Sequence, residues 1–203
     1  RKERWVETVG LFINTGNEKI LISQEKKLNN LIQVFKNPKH STTYSHLCEI
    51  RSLHENTFAI PKLVTIKITN HKDIYNNKIR VLLPHMKDDI PISVLFRAFG
   101  FETDKEIVYS IIDNNGSKID LEMSKILRPS IEEGSIIQTE AEALIYISRH
   151  MNNNSYYIQN EDKKIEYIKN TILKECLNHL GNNPLKKGLY IGVMINKLIK
   201  CRM

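Results

Sequence analysis

Cysteine is scarce: three residues, Cys48, Cys176 and Cys201, odd in number and widely spaced. That excludes a disulfide scaffold and any Cys-x-x-Cys zinc ribbon, and it points to a reducing compartment, nucleus or cytoplasm. Eight glycines and six prolines are too few for a fibrous or low-complexity chain, and a single tryptophan, Trp5, offers little for base stacking. Long apolar runs are missing too. Stretches such as Leu189 to Ile195 are far too short to span a bilayer, and no signal peptide or membrane partner is expected. No run of five like charges occurs, so the excess of 30 Lys and Arg over 23 Asp and Glu is spread along the chain. A formal charge of +7 favours an anionic partner without identifying one.

The 203 residues suffice for one domain or two small ones. The first half reads as strands. Val9–Ile13 and Lys19–Ser23 flank Asn14-Thr15-Gly16-Asn17, a turn sequence that tolerates positive φ. Leu31–Phe35, Tyr44–Ser52, Lys62–Thr69 and Lys78–Leu83 follow, with Val64, Ile66 and Ile68 on one face and Thr65, Lys67 and Thr69 on the other. From Asp89 the period becomes helical. Thr103 to Glu106 and Thr139 to Glu142 read as capping boxes, Pro129 as a break or restart, and Glu161 to Leu180 as one amphipathic helix. Strands followed by helices, without alternation, predict an α+β fold with an antiparallel sheet of about five or six strands. The chain opens on Arg1 and closes at Met203 inside an apolar helical pattern without a stop signal, which suggests a segment of a longer protein.

A search for chemistry returns little. There is no phosphate-cradling Gly-rich motif and no His-Glu-x-x-His. His46 and Cys48 would share a strand face, but two ligands of four favour sheet packing over a metal site. Asp88 and Asp89 have the form of a magnesium pair, yet their place before a helix start favours capping and the helix dipole. Ser41-Thr42-Thr43 has no partner spacing of a nucleophile, and Arg97, set among apolar helical residues, reads as structural. No catalytic residue and no metal ligand is expected.

Longer strings carry a resemblance. Gly10 to Glu25 (GLFINTGNEKILISQE) is similar to the GYFIINGSEKVLIAQE stretch of the second-largest subunit of multisubunit DNA-directed RNA polymerases. Cys48-Glu49-Ile50-Arg51-Ser52 resembles the family's AEIRS, and Asp89 to Gly100 (DIPISVLFRAFG) its DIPIVILFRALG, continued by Asp104 to Ile107. Leu121-Glu122-Met123, Arg128-Pro129, Ile137-Gln138 and Gly192 to Leu198 keep the family's order and spacing, closest to the eukaryotic, archaeal and large-DNA-virus type. The resemblance implies the lobe, one wall of the downstream DNA cleft. Residues 1–22 would be strands bordering the adjoining protrusion domain, and 23–203 the lobe, cut within a C-terminal helix.

The resemblance also places the phosphoryl-transfer centre elsewhere. The fragment would need no cofactor, and the Mg2+ of the whole polymerase would sit on carboxylates of the largest subunit. Expected partners are the downstream DNA duplex, other polymerase subunits and initiation factors, and the expected setting is nucleus or cytoplasm, or a virion or viral factory for a viral source. Lys26 and Lys27 occupy the end of a stretch where relatives carry Arg, Lys87 matches a Lys in a connection facing the cleft, and Arg51 matches the Arg of EIRS. These four are the candidate nucleic-acid-binding residues, suited to holding phosphate rather than reading bases. A free-standing basic nucleic-acid-binding module and a protein-interaction scaffold are the alternative readings. The isolated chain should incorporate no nucleotides on a primed template, because it offers no metal-binding carboxylate cluster. Template-dependent incorporation that disappears when Asp88 and Asp89 are changed would overturn this.

Overall fold

Five strands pair in sequence order to build the central sheet. The computed structural model describes residues 11–37, 43–54, 59–70, 77–112, 116–151 and 161–203, the side chains of 11–14 and 161 excepted. Strands β3 (Gln33–Lys36), β4 (Tyr44–Ser52), β5 (Lys62–Thr69), β6 (Ile79–Leu82) and β7 (Ile90–Pro91) form an antiparallel sheet in the order β3-β4-β5-β6-β7. Ahead of it, β1 (Leu11–Asn14) and β2 (Asn17–Ile20) form a separate hairpin. Its turn residues Thr15 (φ 54) and Gly16 (φ 77) are both left-handed, the geometry that matches the twist of a two-residue hairpin. The expected first strand began at Val9, which lies outside the described residues, as does most of the connection 37–40. The second was expected to reach Ser23, but β2 stops at Ile20, and residues 21–28 are exposed without regular structure.

Side-chain alternation divides the sheet into two faces. Cys48 and Ile50 of β4, Val64, Ile66 and Ile68 of β5, and Ile79 and Val81 of β6 are all at most 1% exposed and form the inner face. Helices close over it. α1 (Ile92–Ala98) has all seven residues buried, as expected of a helix packed on every side. α2 (Asp104–Ile111), α3 (Lys118–Glu133), α4 (Glu140–His150), α5 (Glu161–Glu175) and α6 (Pro184–Arg202) follow, and α6 lays Ile191, Met194, Ile195, Leu198 and Ile199 into the core.

Local chemistry explains where the helices start and stop. Thr103 with Glu106 and Thr139 with Glu142 form the expected capping boxes, and Ser117 with Asp120 forms a third. Gly100, with φ 90, ends the α1 turn. Pro129 does not break the pattern: α3 runs through it. The carbonyl that Pro129 deprives of a partner belongs to Lys125 on the exposed face, where water can satisfy it. The helix expected over 161–180 ends instead at Glu175, because Leu177 turns left-handed (φ 48) into a short 3-10 turn, Asn178–Leu180. Fully buried Lys187 of α6 then donates from Nζ to the carbonyls of Leu173 and Cys176, closing the C-terminal end of α5.

Two glycines let α6 approach its neighbours. A Cβ at Gly192 would overlap the backbone carbonyl of Ser110 in α2, whereas a Cβ at Gly188 would meet the Phe101 ring. Backbone cannot retreat as a ring can, so Gly192→Ala should cost about 1–3 kcal/mol of stability and Gly188→Ala less. Urea midpoints of the two variants check this, and a larger loss at Gly188 would contradict it.

Candidate nucleic-acid interface

The outward face of the sheet carries the charge. Alternation that sends Cys48 and Ile50 inward sends Leu47, Glu49 and Arg51 outward, and the register sets Glu49 opposite Gln33 of β3 and Thr65 of β5, Arg51 opposite Leu63, and Leu47 opposite Phe35 and Lys67. Lys27 reaches this face from the 21–28 segment. Its Nζ lies 3.4 Å from Glu49 Oε2 and 4.7 Å from the centre of the Phe35 ring, so a carboxylate and a π-face already hold it. Lys26 and Arg51 are exposed, and neither is paired with a described acid.

Lys87 stands elsewhere, on the connection between β6 and β7. Its side chain is exposed while its backbone N–H donates to His150 O at 2.9 Å, and Met86 forms an isolated antiparallel bridge with Met151. These bonds tie the connection to the end of α4. The expected candidates therefore form two groups: Lys26, Lys27 and Arg51 beside β3 and β4, and Lys87 beyond β6. β5 and β6 lie between them, each strand about 4.8 Å from the next.

The two aspartates correct the sequence reading. α1 begins at Ile92 behind Pro91, with no side-chain cap and no acid in its first turn. Asp89 instead pairs with Lys67, and its carbonyl accepts from Arg80 Nη1 at 2.9 Å, while Asp88 lies 3.4 Å from His150 Nδ1. The reason is electrostatic. Lys67 and Arg80 are direct cross-strand neighbours, and such like charges repel unless acids intervene. Asp89 answers the lysine, and Glu133 of α3 answers the arginine. The result is a polar cavity of about 740 Å3 lined by Lys67, Arg80, Lys87, Asp88, Asp89 and His150. Sequence reasoning missed Lys67, Arg80 and His150 as part of this surface, although the outward phase of Lys67 was visible in the alternation of β5.

Among the described residues no group of three or more His, Cys, Asp or Glu is placed to hold a metal; Asp89 is engaged by Lys67 and Asp88 lies against His150. His46 and Cys48 do share a face, the buried one. Burial, and then Arg202 and Lys36, push His46 below the ordinary histidine value, and burial pushes the Cys48 thiol up to about 12. Ser52 Oγ lies 2.7 Å from His179 Nδ1, a distance a nucleophile and base would keep. Ser52 is fully buried, however, and also accepts the His179 backbone N–H, so the contact pins the 3-10 turn to the end of β4. Arg97 is structural as expected: its guanidinium holds the carbonyls of Phe101 and Glu102 and the carboxylate of Asp104.

Residues 28–203 match the family model described as RNA polymerase Rpb2, domain 2. The chain belongs to this family. It is 35% identical over 193 residues to the DNA-directed RNA polymerase II subunit RPB2 of Encephalitozoon cuniculi, covering 94% of this chain and 16% of that relative. The corresponding subunit of Eremothecium gossypii is 37% identical over 198 residues, 96% of this chain and 16% of the relative. The archaeal DNA-directed RNA polymerase subunit Rpo2 of Sulfolobus acidocaldarius is 30% identical over 194 residues, 94% and 16% respectively. The chain thus spans about one sixth of the length of these relatives. Among the described residues no helix of this domain is long and apolar enough to cross a membrane.

Two histidines of the domain give stability a pH dependence. Burial first, then Lys187 and Lys186, lower His179 as burial lowers His46. Below the ordinary value of 6.5 the unfolded chain then binds more protons than the folded one. Their contribution is complete above that pH and is lost as pH falls through the depressed folded values. The urea midpoint should drop between pH 7.5 and about 5.5, and a His46→Gln, His179→Gln double variant should lose most of that slope. An identical slope in the double variant would contradict the assignment.

Proposed function

We propose that this domain works as the lobe of a DNA-dependent RNA polymerase, one wall of the channel for the downstream duplex, with residues 1–22 bordering the adjoining protrusion. Lys26, Lys27, Arg51 and Lys87 contact phosphates on this reading. The observation that carries it is the pairing of family membership over 28–203 with exposed cations on the outward sheet face and on the β6–β7 connection. Their chemistry suits a backbone rather than base edges: single ammonium groups attract phosphate without a directional fork, and the one arginine lies on a flat strand surface. The nucleotidyl transfer and its Mg2+ belong to other parts of the assembly, in the nucleus or the cytoplasm, and this domain guides the template without touching the reacting atoms.

Few contacts make for weak binding. With two or three of these four residues on phosphates at one time, log K against log salt should fall with a slope of about −2 to −3, and low-salt affinity should be no better than roughly micromolar. Lys27→Ala with Lys87→Ala should weaken binding equally on unrelated sequences and flatten the slope by about two, with the fold intact. Fluorescence anisotropy on two unrelated duplexes, titrated with salt, reads both quantities. Tight binding to one duplex alone, or an unchanged slope in the variant, would remove the proposed DNA face.

A further inference from the structure

The connection between β6 and β7 is held against the end of α4 by more than its backbone. Lys87 N–H donates to His150 O at 2.9 Å, and Met86 bridges Met151. On the same two segments the His150 ring meets a side chain: Nδ1 lies 3.4 Å from Asp88 Oδ2. The Tyr146 ring, one helical turn earlier and 4.8 Å away, backs the imidazole. The last residue of α4 therefore grips the connection twice, by its carbonyl and by its ring.

The two grips differ in what controls them. An amide hydrogen bond carries no titrating group. An imidazole facing a carboxylate is a hydrogen bond when neutral and an ion pair when protonated, and histidine changes its charge between about pH 5 and 8. His150 also ends its helix, where unpaired carbonyls present a partial negative charge that favours a cation.

The other charges around the ring leave Asp88 as its counter-ion. From β5, Lys67 takes Asp89; from β6, Arg80 takes Glu133 of α3 and the Asp89 carbonyl. Lys87 on the connection and Arg149 on α4 are exposed, where solvent and salt screen them. Asp88 is largely exposed as well, so its pair with His150 can open and close without disturbing the core. At the other end of the connection the balance differs. His85 Nε2 lies 3.4 Å from Glu175 Oε2 but also 3.5 Å from Lys62 Nζ, which pairs with the same oxygen. A charge gained by His85 meets an acid and an ammonium at once, and the two largely cancel.

We infer that His150 and Asp88 form a proton-operated latch on the β6–β7 connection, closing as pH falls and fixing the backbone that carries Lys87. The latch is independent of whether Lys87 meets DNA. Its sign is opposite to that of the domain as a whole: protonation of buried His46 and His179 weakens the fold, whereas protonation of His150 tightens this connection.

The test is residue-resolved amide hydrogen exchange on the purified protein at pH 7.5 and about 5.5, corrected for the intrinsic exchange rate. Protection of the Lys87 N–H should rise about two- to fivefold at the lower pH, the range an exposed ion pair supplies, while the urea midpoint drops. His150→Gln, which keeps a hydrogen-bond donor but gains no charge, and Asp88→Asn should each abolish the rise. His85→Gln should retain it. Protection that stays flat or falls in the unaltered protein would overturn the inference, as would a rise that survives in His150→Gln or Asp88→Asn or vanishes in His85→Gln.

Discussion

Complete burial of α1 is the constraint on which the rest of the domain depends. A seven-residue helix is too short to stand alone, and this one has no polar face to turn to water. It therefore requires a cover on every side: β6 and β7, then α2, α3 and α4. Its single charged side chain, Arg97, is tolerated because two carbonyls and Asp104 surround the guanidinium. Those same bonds fix the Phe99 to Thr103 turn and with it the start of α2. From α2 the order propagates to α6 through the close approach at Gly192, and from α6 to the inner face of β3 and β4.

The surface follows from how the core absorbs charge. Most cations near the sheet have a carboxylate at hand: Lys27 has Glu49, Lys62 has Glu175, Lys67 has Asp89, and Lys78 and Arg80 have Glu133. Glu175 shows the balance clearly. Burial alone would raise it, but Lys62 and His85 together hold it below the ordinary carboxylate value. The count of 30 Lys and Arg thus overstates what the face can offer a polyanion, since paired lysines already share their field with acids. A face built this way repels little and grips little.

Much of this was legible in the residues, and what was not has physical causes. Strand β4 and strand β5 announced themselves by partial alternation, clearest in Val64, Ile66 and Ile68, because one side of each packs into the core. Two capping boxes and the Asn14 to Asn17 turn were legible because their chemistry is local. The third box, Ser117 with Asp120, follows the same chemistry but escaped notice. Pro129 misled because a helix tolerates proline where the freed carbonyl faces water. Leu177 misled because nothing in a leucine advertises a left-handed backbone, and the turn there is imposed by Lys187 and the Ser52 contact from far along the chain. The aspartates misled for a related reason. Their nearest helix start was visible in sequence, whereas the Lys67–Arg80 repulsion they relieve exists only once β5 and β6 are paired. Long-range pairing likewise separated Lys87 from the other candidate cations.

α4 is where two surfaces meet. Its last residues, His150 and the following Met151, hold the connection that carries Lys87, while Ile145, Tyr146 and Arg149 line an apolar groove on its other flank. Tyr146 belongs to both linings, and its ring lies 4.8 Å from that of His150. The opposite side of the helix, Ala143, Leu144 and Ile147, is buried in the core and leaves it little freedom to shift alone. A helix fixed on its inner side and lined on its outer side by a polar cavity and an apolar groove keeps both in constant register. The rigidity that holds His150 in place gives the connection carrying Lys87 a fixed anchor, and it traces back to α1, against which α4 packs.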